Sequence, residues 1–89
     1  MTRIIIDCHL FSCRQDVHQA FAEALSFPDY YGSNLDALHD CLTEIGTDTQ
    51  ILLLHWEWAA KHMENYCKIL KNVLAMCCRE NPHLHIEYC

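Results

Sequence analysis

The sequence predicts an α/β fold, in which a small three-stranded parallel sheet is covered by about four helices. Three short apolar runs, near the start, the middle and the end of the chain, have the length and composition of strands. Between consecutive runs, apolar residues recur at helical spacing over stretches long enough for two helices. Helical connections of that length let neighbouring strands run parallel.

The predicted strands are Arg3–Asp7, Gln50–Leu54 and His83–Cys89. In the first, a short β-branched run bounded by polar residues favours a strand that is covered on both faces. The second is predicted to be buried as well. The third alternates apolar with polar residues and therefore has one inward face, formed by Leu84, Ile86 and Tyr88.

The helices are predicted from their caps and their apolar stripes. The first begins at a capping box formed by Ser12 and Gln15, and its stripe is Val17, Ala20, Phe21, Ala24 and Leu25. The second begins at Ser33 or Asn34, after a loop in which Gly32 is free to adopt positive φ, and Gly46 ends it. A shorter helix covers about 57–63. The last helix ends before Pro82, and its stripe is Tyr66, Ile69, Leu70, Val73, Leu74 and Cys77.

Length and composition predict one domain spanning residues 1–89. A chain of this size buries roughly 60 to 65% of its unfolded surface and builds a single core. It has no apolar run of about 20 residues for a membrane span and no secretory signal pattern, so we expect a cytoplasmic protein without a membrane contact. The seven cysteines are an odd number, and we expect reduced thiols that mostly pack as small apolar groups.

The charges are distributed unevenly. The net charge is −6, and no Lys or Arg occurs between Arg14 and Lys61, where eight acidic residues lie. The resulting negative field disfavours nucleic acid as a partner and favours a basic protein.

One predicted helix face concentrates this charge. Asp36, Asp40 and Glu44 follow one another at intervals of four, which costs a few tenths of a kcal/mol per pair in helix stability. Because no basic residue on the same helix offsets that cost, we interpret the face as functional. A structural explanation is available for Asp36 alone, because it would be the third residue of a helix capped by Ser33 and acids near a helix N-terminus are stabilising.

The segment Phe27–Thr43, with the sequence FPDYYGSNLDALHDCLT, closely resembles the signature segment of the barstar family. The order of elements agrees with that family along essentially the whole chain. The resemblance implies an inhibitor that covers the active site of a basic, barnase-like guanyl ribonuclease, with carboxylates in the places of substrate phosphates. By matching position, it implies that Asp40 is the main phosphate mimic, Asp36 a second charge contact and Tyr30 an aromatic anchor.

The resemblance also implies polar or backbone contacts from Gly32, Asn34 and Thr43, and the predicted partner-binding set is completed by His39 and Glu44. Three departures leave the partner open. His39 and Ile45 stand where the family pattern has tryptophan, and Met76 stands where it has an acid. An immunity or regulatory module for a different basic toxin or enzyme is therefore the alternative.

Catalysis and cofactor binding are not predicted. The chain has no phosphate-binding glycine loop and no nucleophile elbow. Despite seven His and seven Cys, it has no Cys-x-x-Cys or His-x-x-x-His spacing, so we expect no metal site. We expect the free protein to be a monomer.

Overall fold

The computed structural model describes residues 1–89 and has the predicted α/β architecture. Its strands are β1 (Thr2–Asp7), β2 (Thr49–Leu54) and β3 (Leu84–Tyr88). Its helices are α1 (Arg14–Leu25), α2 (Leu35–Thr43), α3 (Trp56–His62) and α4 (Glu64–Glu80), with one 3-10 turn at Cys8–Leu10. None of these helices combines the length and the apolar character that crossing a bilayer requires.

The three strands form one parallel sheet in the order β1-β2-β3. The central strand pairs Ile51 with Ile4 of β1 on one side and with Ile86 of β3 on the other. Its side chains Ile51 and Leu53 are fully buried, because helices cover that face of the sheet. The alternation predicted for β3 is confirmed, with Leu84 buried and His85 exposed.

The prediction that the first strand is covered on both faces is wrong. Ile6 points into the core and is 3% exposed, whereas Ile5 on the opposite face is 61% exposed. β1 lies at an edge of the sheet, and an edge strand needs only one apolar face. Because residues 4–6 are all isoleucine, the sequence does not distinguish the buried face of this strand from its exposed face.

The core consists of 16 buried apolar residues from the sheet and the helices. Helix α4 contributes Cys67, Leu70, Leu74 and Cys77, which recur at intervals of three and four. Ile69 was predicted on this stripe but is 51% exposed, because the helix turns its side chain away from the core. The inward position in that turn belongs to Cys67 and Leu70.

The cysteines are all free thiols, and three of them pack in the core as predicted. Cys8, Cys67 and Cys77 are buried, and burial raises the pKa of Cys8 to about 12 and that of Cys77 to about 11. Cys13 and Cys89 are exposed, and Cys41 and Cys78 are half-buried.

Helix α1 begins one residue later than predicted, with Cys13 as its N-cap. The backbone N–H and the hydroxyl of Ser12 both donate to the Asp16 carboxylate, at 3.0 and 2.7 Å. Ser12 therefore pairs with Asp16 and not with Gln15, since an ionised carboxylate is the stronger acceptor.

Candidate protein-binding site

The start of α2 is fixed by Asn34. Its side-chain oxygen accepts the N–H of Ala37 at 2.8 Å, and its side-chain nitrogen donates to the carbonyl of Gly32 at 3.2 Å. Of the two predicted caps, Asn34 is the one used. Asp36 is therefore the second residue of the helix, and the predicted capping box between Ser33 and Asp36 is wrong.

The loop before α2 turns at Ser33, which has φ 52°, and Gly32 does not use the positive φ that is open to it. The glycine is explained by space instead. A Cβ at position 32 would lie 3.1 Å from the side-chain nitrogen of Asn34, in the path of the capping interaction. A side chain there would push against the group that begins the helix.

The exposed face of α2 carries Asp36 and Asp40, and Glu44 continues that face at the C-cap, one residue beyond the helix. No Lys or Arg nitrogen lies within 4 Å of any carboxylate oxygen, and the ion pairs of the protein all use histidine. On this face, only Asp40 has such a neighbour, at 3.5 Å from Nδ1 of His39. The three carboxylates are therefore available to positive charges from outside the molecule.

Tyr30 stands beside this face on the preceding loop. It is 88% exposed, so its ring is open to a partner. Tyr30, Asp40 and Glu44 border a shallow cleft of about 390 Å³ between the loop and α2. The cleft combines acidic groups with apolar surface from Pro28, Ala37, Cys41 and Ile45. A long cationic side chain matches that combination, because its stem is apolar and its head is charged.

Two predicted contact residues use their polar atoms within the fold. The hydroxyl of Thr43 donates to the carbonyl of His39 at 2.8 Å, and the side chain of Asn34 is engaged in the cap. Both side chains therefore stabilise α2, Asn34 at its start and Thr43 at its end. The structure thus brings Tyr30, Gly32, Asp40 and Glu44 to one cleft, with Asp36 and His39 on the same helix.

A sequence model described as "Barstar (barnase inhibitor)" matches residues 1–88 of the chain. The chain belongs to the barstar family. A protein of Bacillus subtilis (strain 168) named "Putative ribonuclease inhibitor YrdF" is 36% identical over 75 residues, which cover 83% of this chain and 82% of the relative. The family resemblance is therefore confirmed. Because barstar-family proteins are inhibitors rather than enzymes, the prediction of a non-enzyme is confirmed as well.

In this barstar-family chain, His39 contacts an acid that the sequence did not indicate. Its Nε2 hydrogen-bonds Glu80 at the end of α4. That hydrogen bond, with a smaller contribution from Asp40, raises the pKa of His39 above its ordinary value. The two acids beside His39 are therefore Glu80 and Asp40, and Asp36 is not among its partners. Glu80 extends the acidic face onto a second helix.

Behind the loop, His18 of α1 is buried and bonded at both ring nitrogens. Its Nδ1 lies 2.6 Å from the hydroxyl of Tyr31, and its Nε2 lies 2.5 Å from the hydroxyl of Tyr66 on α4. Burial, and to a smaller extent the positive charge of Arg14, lowers the pKa of His18. The ring is therefore neutral at pH 7, which makes one nitrogen a donor and the other an acceptor.

The remaining histidines do not assemble a metal centre. His83 pairs with Asp48, with 3.0 Å between its Nδ1 and the carboxylate. No three His, Cys, Asp or Glu side chains of the chain lie in an arrangement that could hold a metal ion.

Proposed function

We propose that the chain acts in the cytoplasm as an inhibitor of a basic, barnase-like guanyl ribonuclease, and that the exposed face of α2 covers the active site of that enzyme. The observation that carries this proposal is the set Asp36, Asp40 and Glu44, three exposed carboxylates without a Lys or Arg partner in a barstar-family chain. The name of the Bacillus subtilis relative supports a ribonuclease as partner.

The chemistry of the two surfaces is complementary. A nuclease binds substrate phosphate with Arg, Lys and His, and carboxylates accept the same charge-assisted hydrogen bonds. In this proposal, Asp40 and Asp36 occupy positions of substrate phosphates, while Tyr30 packs its exposed ring beside the cleft. Glu44 and His39 complete the contact surface, and the rigid cap at Asn34 keeps the carboxylates in place. Buried charge pairs and neighbouring aromatics are the usual hot spots of such interfaces.

The experiment is a titration of barnase activity on RNA with the purified protein. Asp40→Asn keeps the shape of the side chain and removes its charge, and Glu23→Gln on α1 is a matched control with the same change in net charge. We expect Asp40→Asn to raise the inhibition constant by about 10² to 10³, because it leaves cationic groups of the partner buried and unpaired, whereas Glu23→Gln changes it less than about threefold. The affinity of the unmodified protein should fall with added salt.

Equal effects of Asp40→Asn and Glu23→Gln would contradict a local role for the α2 face and would indicate only a general effect of net charge.

Three residues favour a second candidate, an immunity or regulatory module for a different basic toxin or enzyme. His39, Ile45 and Met76 differ from the family pattern, and Met76 is 42% exposed. Tight binding to another basic protein, without inhibition of barnase, would identify this second function.

A further inference from the structure

The hydrogen-bonded triad Tyr31–His18–Tyr66 ties the loop that carries Tyr30 to helices α1 and α4. His18 is 1% exposed, so its ring cannot exchange these partners for water. A neutral imidazole has one donor and one acceptor nitrogen, so one tyrosine hydroxyl accepts a hydrogen bond from the ring and the other donates one to it. All three polar groups are therefore satisfied in a single arrangement of three elements.

Tyr31 is the point at which this arrangement reaches the loop. Of the side chains at positions 27–33, only that of Tyr31 makes a hydrogen bond, and its partner is His18. Its backbone N–H donates to the carbonyl of Pro28 at 2.9 Å, and its ring lies 4.9 Å from that of Phe27. Tyr30, the preceding residue, has no such anchor and extends outward.

We propose that His18 is a positioning residue for partner binding, which acts through Tyr31 to hold Tyr30 and the start of α2 in the binding arrangement. The consequence for binding rests on the function proposed above. A loop that samples several conformations reduces affinity by the fraction of time it spends in the competent one. A hydrogen bond to the neutral, buried ring of His18 reduces that loss without placing any charge in the interface.

The alternative is a histidine that only stabilises the core, and two matched variants separate the two roles. Tyr31→Phe and Tyr66→Phe each remove one hydroxyl from the same imidazole. If His18 only stabilises the core, both variants loosen the whole fold to a similar degree. If His18 positions the loop, only Tyr31→Phe releases residues 29–34, because in Tyr66→Phe the ring still holds Tyr31.

The first measurement is amide hydrogen exchange in the free protein. Two amides report on the loop and the start of α2: that of Tyr31, which donates to the Pro28 carbonyl, and that of Ala37, which donates to the Asn34 side chain. The amide of Thr49 in the sheet, which donates to the His83 carbonyl, reports global opening. We expect Tyr31→Phe to speed exchange at Tyr31 and Ala37 by about tenfold relative to Thr49, since the partly buried hydrogen bond to His18 is lost. In Tyr66→Phe the same ratio should stay within about twofold.

The second measurement is the association rate with barnase, which we expect to fall several-fold in Tyr31→Phe and to stay unchanged in Tyr66→Phe. Parallel changes of loop and sheet exchange in both variants would overturn the proposal, and so would a released loop with unaltered association. Selective loop release in a protein that does not bind barnase would support the positioning role and contradict the proposed function instead.

Discussion

His39 on α2 hydrogen-bonds Glu80 at the last residue of α4, and this contact joins the acidic face to a second helix. The hydrogen bond raises the pKa of His39, so the folded protein binds this proton more tightly than the unfolded chain does. The stabilisation is fully present below the unfolded pKa of about 6.5 and is lost as pH rises through the folded value.

Glu80→Gln should lower the pKa of His39 towards the ordinary value, because the charged acceptor is replaced by a neutral amide. A titration of the His39 ring signals by NMR measures this shift. Glu57→Gln, an exposed acid on α3, is the control and should leave the pKa of His39 unchanged. An unchanged pKa in Glu80→Gln would show that the contact does not form in solution.

Protonation of His39 should weaken the binding of a basic partner. The proton adds a positive charge 3.5 Å from Asp40, and that charge opposes an incoming cation. The dissociation constant for barnase is measured for the unmodified protein and for His39→Asn at each pH, and we expect the first divided by the second to rise as pH falls from 7.5 to 5.5. Because the titration of barnase itself affects both constants equally, it cancels in this ratio. A ratio that is flat over this range would exclude His39 as a pH switch.

Asn81 is predicted to be the polar residue on which the end of α2 depends. Its buried side chain donates to the carbonyls of Leu42 and Ile45, both at 2.9 Å, and accepts the N–H of His83 at 3.0 Å. Asn81→Ala removes all three hydrogen bonds and should lower the free energy of unfolding by about 2–3 kcal/mol. Urea denaturation measures the loss, and exposed Asn72→Ala should change it by less than about 0.5 kcal/mol. Similar values for the two variants would contradict the capping role.

The contacts of Glu80, Asn81 and His18 could not be predicted from the sequence. The strands, the helices and the cap at Asn34 depend on neighbours a few residues apart, and local patterns revealed them. The contacts of His39 with Glu80, of Asn81 with Leu42 and of His18 with Tyr66 join residues 41, 39 and 48 positions apart. Such pairs become neighbours only when the helices pack, so no spacing rule could identify them. The exposed acids of α2 and its C-cap were predictable because they follow one another at helical spacing.

The cysteines should differ in reactivity according to burial. At pH 8, burial leaves at most about one in a thousand of the Cys8 and Cys77 thiols ionised, and the thiolate is the reactive form. An aromatic disulfide reagent should therefore modify exposed Cys13 and Cys89 first in the folded protein. The double variant with serine at both positions should lose the fast phase. A fast phase that persists would show that a core thiol becomes accessible in the native state.

The two faces of β1 provide a direct test of the sheet. Ile5 and Ile6 are residues of the same type in the same strand, but Ile5 is 61% exposed and Ile6 is 3% exposed. Ile6→Ala creates a cavity in the core and should lower the free energy of unfolding by about 2–5 kcal/mol. Ile5→Ala removes only surface contacts and some strand propensity and should cost less than about 1 kcal/mol.

Urea denaturation of both variants measures the difference directly, provided that the two transitions have the same slope. A large loss for Ile5→Ala would mean that the open face of the sheet is covered in solution, as the isoleucine run suggests and the edge position of β1 does not. A concentration-dependent loss would identify a second copy of the chain as the cover, because only association makes stability depend on protein concentration. A small, concentration-independent loss is the expected result, because the Ile5 side chain is mostly exposed and makes few packing contacts that the alanine would lose.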